Sequence, residues 1–264
     1  MIRDITIGQY YPVNSVLHKL DPRIKIIATM MFVVELFVFD SLLGYVLMAA
    51  GLGAVILASH VPLRHILKGL RPVLFLLIFT ILLNTIHATG DNVLVEWGFV
   101  RITVEGLINA AFLAIRLIML IIGSSLLTFT TTPSELTDGI EKLCAPLKVF
   151  KVPVHEMAMM MSIALRFIPI LVEETDKIMK AQQARGANFD TGSIVQKAKS
   201  LVPLLVPLFV SAFRRANDLA MAMEARCYRG GKGRTKMKPL RFGGKDYLTM
   251  AVLVMYLAML IVVV

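Results

Sequence analysis

From Ile24 to Ser59 the chain is apolar almost without interruption. A single helix of that length would measure about 54 Å at roughly 1.5 Å per residue, whereas a bilayer core is about 30 Å thick, so the stretch reads as two spans. Asp40 and Ser41, followed by Gly44, supply the turn between them, and Gly44, Gly51 and Gly53 mark a surface where helices can approach closely. Further apolar runs cover Pro72 to His87, Val104 to Leu127 and Tyr247 to Val264, with Tyr247 suited to the interface. The pattern predicts an all-α integral membrane protein with about five transmembrane helices. Its divisions are an N-terminal segment over 1–23, four spans over 24–127, a long region between spans over 128–243 and a last span over 244–264.

The region over 128–243 follows a different rhythm. It opens on TTTPSEL, where Thr132 caps a helix, Pro133 takes its first position and Glu135 reaches back as the second half of a capping box. A short amphipathic helix follows, with Leu136, Ile140, Leu143 and Leu147 on one side and an interruption at Pro146. Two long helices come next, from Val154 to Ala184 with Pro169 as a kink, and from Ile194 to Arg226 with kinks near Pro203 and Pro207. Their most apolar parts, Ile163 to Val172 and Leu201 to Phe213, are bounded by Glu173-Glu174 and Arg214-Arg215, and Arg166 interrupts the first. Each falls short of the 17 to 20 or so residues a span requires, so both helices are expected at or under the membrane surface. An inserted hairpin would leave the orientation of the last span unchanged.

Composition agrees with a membrane protein: 57% of the 264 residues are hydrophobic and the mean hydropathy is +0.74. The opening MIRDITIGQYYPVNS has no basic stretch followed by an apolar one, so no cleavable signal peptide is expected. The formal charge of +10 would suit a nucleic-acid binder were it not so unevenly placed. With the amino end inside, 26 of the 28 Lys and Arg face the cytoplasm, 19 of them between Thr128 and Lys245. Only Arg101, in an outer loop, and Arg116, within the fourth span, are left over. The positive-inside rule therefore puts the amino end in and the carboxyl end out, and no nucleic-acid partner is expected. Cys144 and Cys227 both fall on the reducing side, without metal-ligand spacing, and are assigned no chemistry.

Several motifs invite a chemical reading and do not sustain it. GGKGRTK, Gly230 to Lys236, lacks the glycine spacing of a phosphate loop and reads as a basic linker touching anionic lipid. Glu173-Glu174 resembles the start of an EExxxR protease motif, but position 178 is Ile. His18, His60, His65, His87 and His155 have no ligand spacing, so neither a metal site, a cofactor nor a general base is expected. Glu35 in the first span and Arg116 in the fourth are costly in hydrocarbon and are expected to pair. Met157, Met159, Met160, Met161, Met221 and Met223 read first as packing, although flexible thioethers also suit a surface that accepts exchangeable partners.

Two endings stand apart. AQQARGA places Ala184, Arg185 and Gly186 at the end of one long helix, and AMEARCYRGG places Ala225, Arg226 and Cys227 at the end of the other. Helix termination accounts for either triplet alone, because arginine complements the negative end of the dipole and glycine commonly follows. Their repetition points to a pair of docking tips, where small alanines admit a partner's backbone and a guanidinium makes forked hydrogen bonds.

With LHKLDPRIK before the first span, these paired motifs resemble the T component of energy-coupling factor transporters, the family that includes the membrane subunit of cobalt importers. The resemblance covers essentially the whole chain; Cys227 departs from the family's glycine. It implies a cytoplasmic coupling region of about three helices, two of them long and crossed, with Arg185 and Arg226 each seated in one of two ATP-binding-cassette subunits. Those partners would use ATP and Mg, and a separate membrane-embedded S component, exchangeable and in contact with the apolar helices, would hold a vitamin or metal ion. A free-standing membrane enzyme and a scaffold without energy coupling remain as alternatives.

Overall fold

The structure, a computed structural model, describes residues 10–39, 41–87, 93–97, 100–187, 194–231, 237 and 239–263. The chain forms two units: residues 8–139 with 240–264 make one, and 140–239 belong to the other.

In the first unit, α1 (Pro22–Val38) begins where Asp21 accepts the Arg23 N–H and Pro22 fills the first helical position. α2 (Leu42–Ser59) begins at Ser41, whose Oγ accepts the Gly44 N–H at 3.0 Å. The long apolar stretch is thus divided where its pattern indicates; Asp40 itself lies outside the described residues. α3 (Leu63–His87) starts nine residues before the expected third span. Its amphipathic first part, Leu63–Arg71, is helical too, and meets Val73–Leu83 at 64° about Pro72, which has no N–H for the ladder. A two-stranded hairpin, β1 (Val93–Trp97) and β2 (Val100–Thr103), then leads to α4 (Val104–Thr130), which Thr103 caps through the Gly106 N–H. The hairpin is the one departure from an all-α chain among the described residues. α5 (Pro133–Leu143) carries the expected capping box: the Glu135 N–H donates to Thr132 Oγ1 at 3.3 Å and the Thr132 N–H to Glu135 Oε2 at 3.1 Å. The last helix of this unit, later called α8, is Gly244–Val263.

The core of this unit joins Leu36 of α1, Tyr45, Met48 and Leu52 of α2, Met119, Leu126 and Phe129 of α4, and Leu260 of α8. Close approach occurs at two glycines. A Cβ on Gly123 would stand 2.5 Å from Phe32 Cε1, and one on Gly51 would stand 2.9 Å from Tyr256 Oη. Gly53, expected to share that role, has nothing within 4 Å. Outward faces are apolar, as a lipid solvent requires: Phe75 is 81% and Val262 84% exposed.

The LDPRIK stretch ties three helix ends together. The Asp21 N–H donates to Asp246 Oδ1 at 2.9 Å, and Asp246 Oδ2 accepts the Gly243 N–H at 2.7 Å, which joins the start of α1 to the start of α8. Arg23 grips Asp21 Oδ2 at 2.7 Å and lies over the Phe242 ring at 3.9 Å. Buried Lys25 donates to the Thr130 carbonyl, at the end of α4, at 2.9 Å. α5 packs on the same place through Gly139, where a Cβ would stand 3.0 Å from Ile26 Cδ1.

The second unit holds a 3-10 helix (Ala145–Phe150), α6 (Val154–Ala184) and α7 (Ile194–Ala225), with Pro169 inside α6 and Pro203 and Pro207 inside α7. Among the described residues α2, α4, α6 and α8 are long and apolar enough to cross a membrane, and the two halves of α3 taken as one broken span make five. α1, with 17 residues, sits at the lower limit of span length. The inclusion of α6 corrects the expectation that neither long helix reaches spanning length. Met157 to Met161 extend its apolar stretch back to Val154, and Glu156 and Arg166 are the only Asp, Glu, Lys or Arg within Val154 to Val172.

Candidate functional site

α6 and α7 end in the same hydrogen-bonded motif. At the end of α6 the Gly186 N–H donates to Gln183 O at 3.0 Å and the Ala187 N–H to Gln182 O at 3.0 Å. At the end of α7 the Cys227 N–H donates to Glu224 O at 2.8 Å and the Tyr228 N–H to Met223 O at 3.0 Å. Both are Schellman closures, which require a left-handed residue just past the cap. Gly186 supplies it with φ 90° and Cys227 with φ 54°, so the cysteine in the glycine's place keeps the geometry of the ending. Arg185 and Arg226 are the cap residues, and both are exposed, as are Ala184, Gly186, Ala225 and Cys227. Neither guanidinium has a hydrogen-bond or ion-pair partner among the described residues. Each stands beside carbonyls at the negative end of a helix dipole, with its donors directed to solvent.

The two helices pack antiparallel. Gln182 Nε2 donates to Pro203 O at 3.2 Å, and Arg215 Nη2 donates to Glu174 Oε2 at 3.1 Å. Beyond that ion pair an apolar groove of about 320 Å³ runs between Ile163, Phe167 and Leu171 of α6 and Leu219 and Met223 of α7. Glu174 lies ten residues before Ala184, and Arg215 ten before Ala225. The two arginine ends therefore point away from each other, about 30 Å apart along the pair at roughly 1.5 Å per residue.

Met157, Met160 and Met161 are more than half exposed on α6, at the spacing of one helix face, and Met221 is exposed on α7. Met159 is half-buried, and half-buried Met223 lines the groove while its carbonyl closes the end of α7. The methionines thus divide between an outward face and internal packing.

The expected Glu35–Arg116 pair does not form. Arg116 donates through Nε to Tyr45 Oη at 2.8 Å and lies 5.7 Å from the Phe37 ring centroid and 5.8 Å from that of Tyr45. A neutral acceptor and two ring faces receive the guanidinium, while Glu35 is buried at 5% exposure without an ion pair among the described residues. The Glu173-Glu174 doublet also divides: Glu173 is exposed and Glu174 is the partner of Arg215. No cluster of metal-ligating side chains occurs among the described residues. His155 instead pairs through Nδ1 with Glu141 Oε1 at 2.9 Å.

Sequence reasoning overlooked the LDPRIK knot as an electrostatic site. Burial by itself would raise the Asp21 carboxyl, but hydrogen bonds from Arg23 and the charges of Arg23 and Lys25 outweigh it and hold Asp21 below its ordinary value. The signal that could have found it is Asp-Pro-Arg at a helix start, where Asp caps and Arg at the second position reaches back.

A family described as CbiQ, cobalt transport protein, matches residues 13–237. An energy-coupling factor transporter transmembrane protein of Ruminiclostridium cellulolyticum is 54% identical over 261 residues, covering 99% of this chain and 97% of the relative. A protein of the same description from Clostridium kluyveri is 57% identical over 249 residues, 94% of this chain and 92% of its own length. Another, from Bacillus subtilis, is 46% identical over 260 residues, 98% of each. With a family match over most of its length and relatives about half identical almost from end to end, this multi-pass membrane protein belongs to the CbiQ family, as a transmembrane component of an energy-coupling factor transporter.

Proposed function

We propose that this chain couples two ATP-binding-cassette subunits to a membrane-embedded S component, passing ATP-driven movement from the former to the latter so that a captured vitamin or other micronutrient is taken up. Arg185 and Arg226 each dock in one ATPase, with Ala184, Gly186, Ala225 and Cys227 shaping the contact. The observation that carries this reading is the pair of identical helix endings, exposed, cationic and facing opposite ways about 30 Å apart. Two like tips suit a partner with two related halves, and their spacing lets each half be held separately.

ATP and Mg belong to the partners, and this chain binds no cofactor and catalyses no reaction. The S component lies against the apolar helices, with the exposed methionines Met157, Met160, Met161 and Met221 as an adaptable surface for exchangeable partners. The amino end is cytoplasmic and the carboxyl end outside. α6 lies at the inner surface in spite of its length, because twelve of the 28 Lys and Arg follow it before α8 and a lone crossing would place them outside.

The decisive experiment purifies the chain from its native membrane and identifies what accompanies it. Two ATP-binding-cassette chains and a small membrane protein are expected; recovery of the chain by itself would favour a lone enzyme or a scaffold. In the complex, Arg185→Glu with Arg226→Glu should leave membrane insertion intact and abolish ATP-dependent uptake, and wild-type uptake by that variant would reject these residues as couplers.

A further inference from the structure

The motif arginines are 41 positions apart in sequence, and the Glu174–Arg215 ion pair spans the same interval of 41. With α6 and α7 taken as two copies of one unit, Glu174 and Arg215 therefore occupy the same place, ten residues before the last helical residue. In a pair of elements related by a twofold axis, a position that touches its own equivalent lies on the axis. The other contacts fit this relation. Gln182 with Pro203 on one side of the ion pair has its counterpart in Met223 with residue 162 on the other, and Met223 lines the groove beside the adjacent Ile163.

At such an axis, identical charged residues would repel. Here the two copies differ, one carrying a carboxylate and the other a guanidinium, and the result is an attractive pair. It is only partly exposed, at 26% for the Glu174 side chain and 36% for Arg215, and Arg215 Nε is buried without a hydrogen-bond partner. On the groove side the pair is flanked by Leu171, Ala212 and Ala216. A charged contact at the centre of the seam, with the Gln182–Pro203 hydrogen bond farther along it, fixes where the helices meet while leaving the angle between them free to change.

We infer that Glu174 and Arg215 form the pivot of the α6–α7 pair, positioning residues that make a displacement of one arginine tip a matching displacement of the other. This rests on the coupling role proposed above.

The test measures solute transported per ATP hydrolysed in the complete complex, a ratio that reduced folding or assembly does not move. Glu174→Gln and Arg215→Gln should each leave ATP hydrolysis in place and lower the ratio about fivefold or more. Glu174→Arg combined with Arg215→Glu should restore it to within about twofold, as expected when one pairwise term is exchanged for its mirror. A ratio unchanged in both single variants, or one the exchange fails to restore, overturns the pivot. Should a single variant not assemble, spin labels at Gln183→Cys and Glu224→Cys, with Cys144 and Cys227 replaced by Ser, report tip separation in the full chain in nanodiscs. The distance distribution should broaden in Glu174→Gln and narrow again in the exchanged pair; an unaltered width overturns the inference. Because this second reading needs no ATPase, it holds even if the wild-type chain proves to have no such partner.

Discussion

The Schellman endings set Gly186 and Cys227 to the same task with different chemistry, and an alanine at each should have unequal consequences. The Gly186 position opens on space, with nothing within 4 Å of an added Cβ, so substitution there meets only the backbone term. A residue with a Cβ costs about 1–2 kcal/mol in the left-handed region. The less flexible unfolded chain of alanine returns about 0.5–1 kcal/mol of that. The net is a loss of about 0–1.5 kcal/mol. Since φ at Gly186 is 90°, well beyond the left-handed centre near about +57°, the upper half of that range applies. Cys227, at φ 54°, already bears the Cβ term, so Cys227→Ala should be close to neutral.

Hydrogen exchange at the amides that close each end reads this locally. About 1 to 1.4 kcal/mol corresponds to roughly five- to tenfold faster exchange, expected at Ala187 in Gly186→Ala, with Tyr228 unaffected. Cys227→Ala should change Tyr228 by less than about twofold, and Cys227→Gly should slow it. Equal responses to alanine at the two sites would refute the backbone account of the paired tips.

Two further outcomes follow from the first unit. Gly123→Ala forces a methyl against the Phe32 ring and should cost about 1–3 kcal/mol in a denaturation or thermal assay, whereas Gly53→Ala, facing open space, should be neutral or slightly stabilising; equal gains at the two sites would show that helix propensity, not close approach, governs both. Asp21, held below its ordinary value by Arg23 and Lys25, with the Asp246 carboxylate nearby, contributes stability that is fully present above about pH 4 and is lost as pH falls through its lower folded value. Acid unfolding of the full chain should therefore shift less with pH below that point in Asp21→Asn than in the wild type, and parallel acid profiles would remove Asp21 from the account.

Much of the helical plan was legible because its limits are written locally. Proline and capping residues open α1 and α5, Ser41 opens α2, and Gly186 closes α6. The amphipathic start of α3 was not, because Pro72 reads as the beginning of a helix when it is a break inside one. Short strands beside a span carry too little periodicity to show, and β1 and β2 were missed for that reason. The site divided along the same line. The arginine tips are defined by neighbours within five residues, and the sequence shows them. The partners of Arg116 and Asp21 are not local: Tyr45 lies 71 positions away and Asp246 lies 225 away. Charge complementarity nominated Glu35 for Arg116, but the helix packing presented a phenol first.

That contrast bears on how the tips work. Asp21, Lys25, Arg116 and Glu174 each engage a partner within the chain. Arg185 and Arg226 engage none among the described residues, although each lies beside the open carbonyl end of a helix. A partner carboxylate or carbonyl arriving there has no internal hydrogen bond to break, only water to displace, so its charge-assisted bonds are not offset by a loss within this chain. The Schellman closure adds to this by fixing the last carbonyls and directing the backbone away from the cap, which limits the conformational freedom lost on docking. Under the docking role proposed above, helix termination and docking are one arrangement: the same left-handed residue that ends each helix presents its arginine.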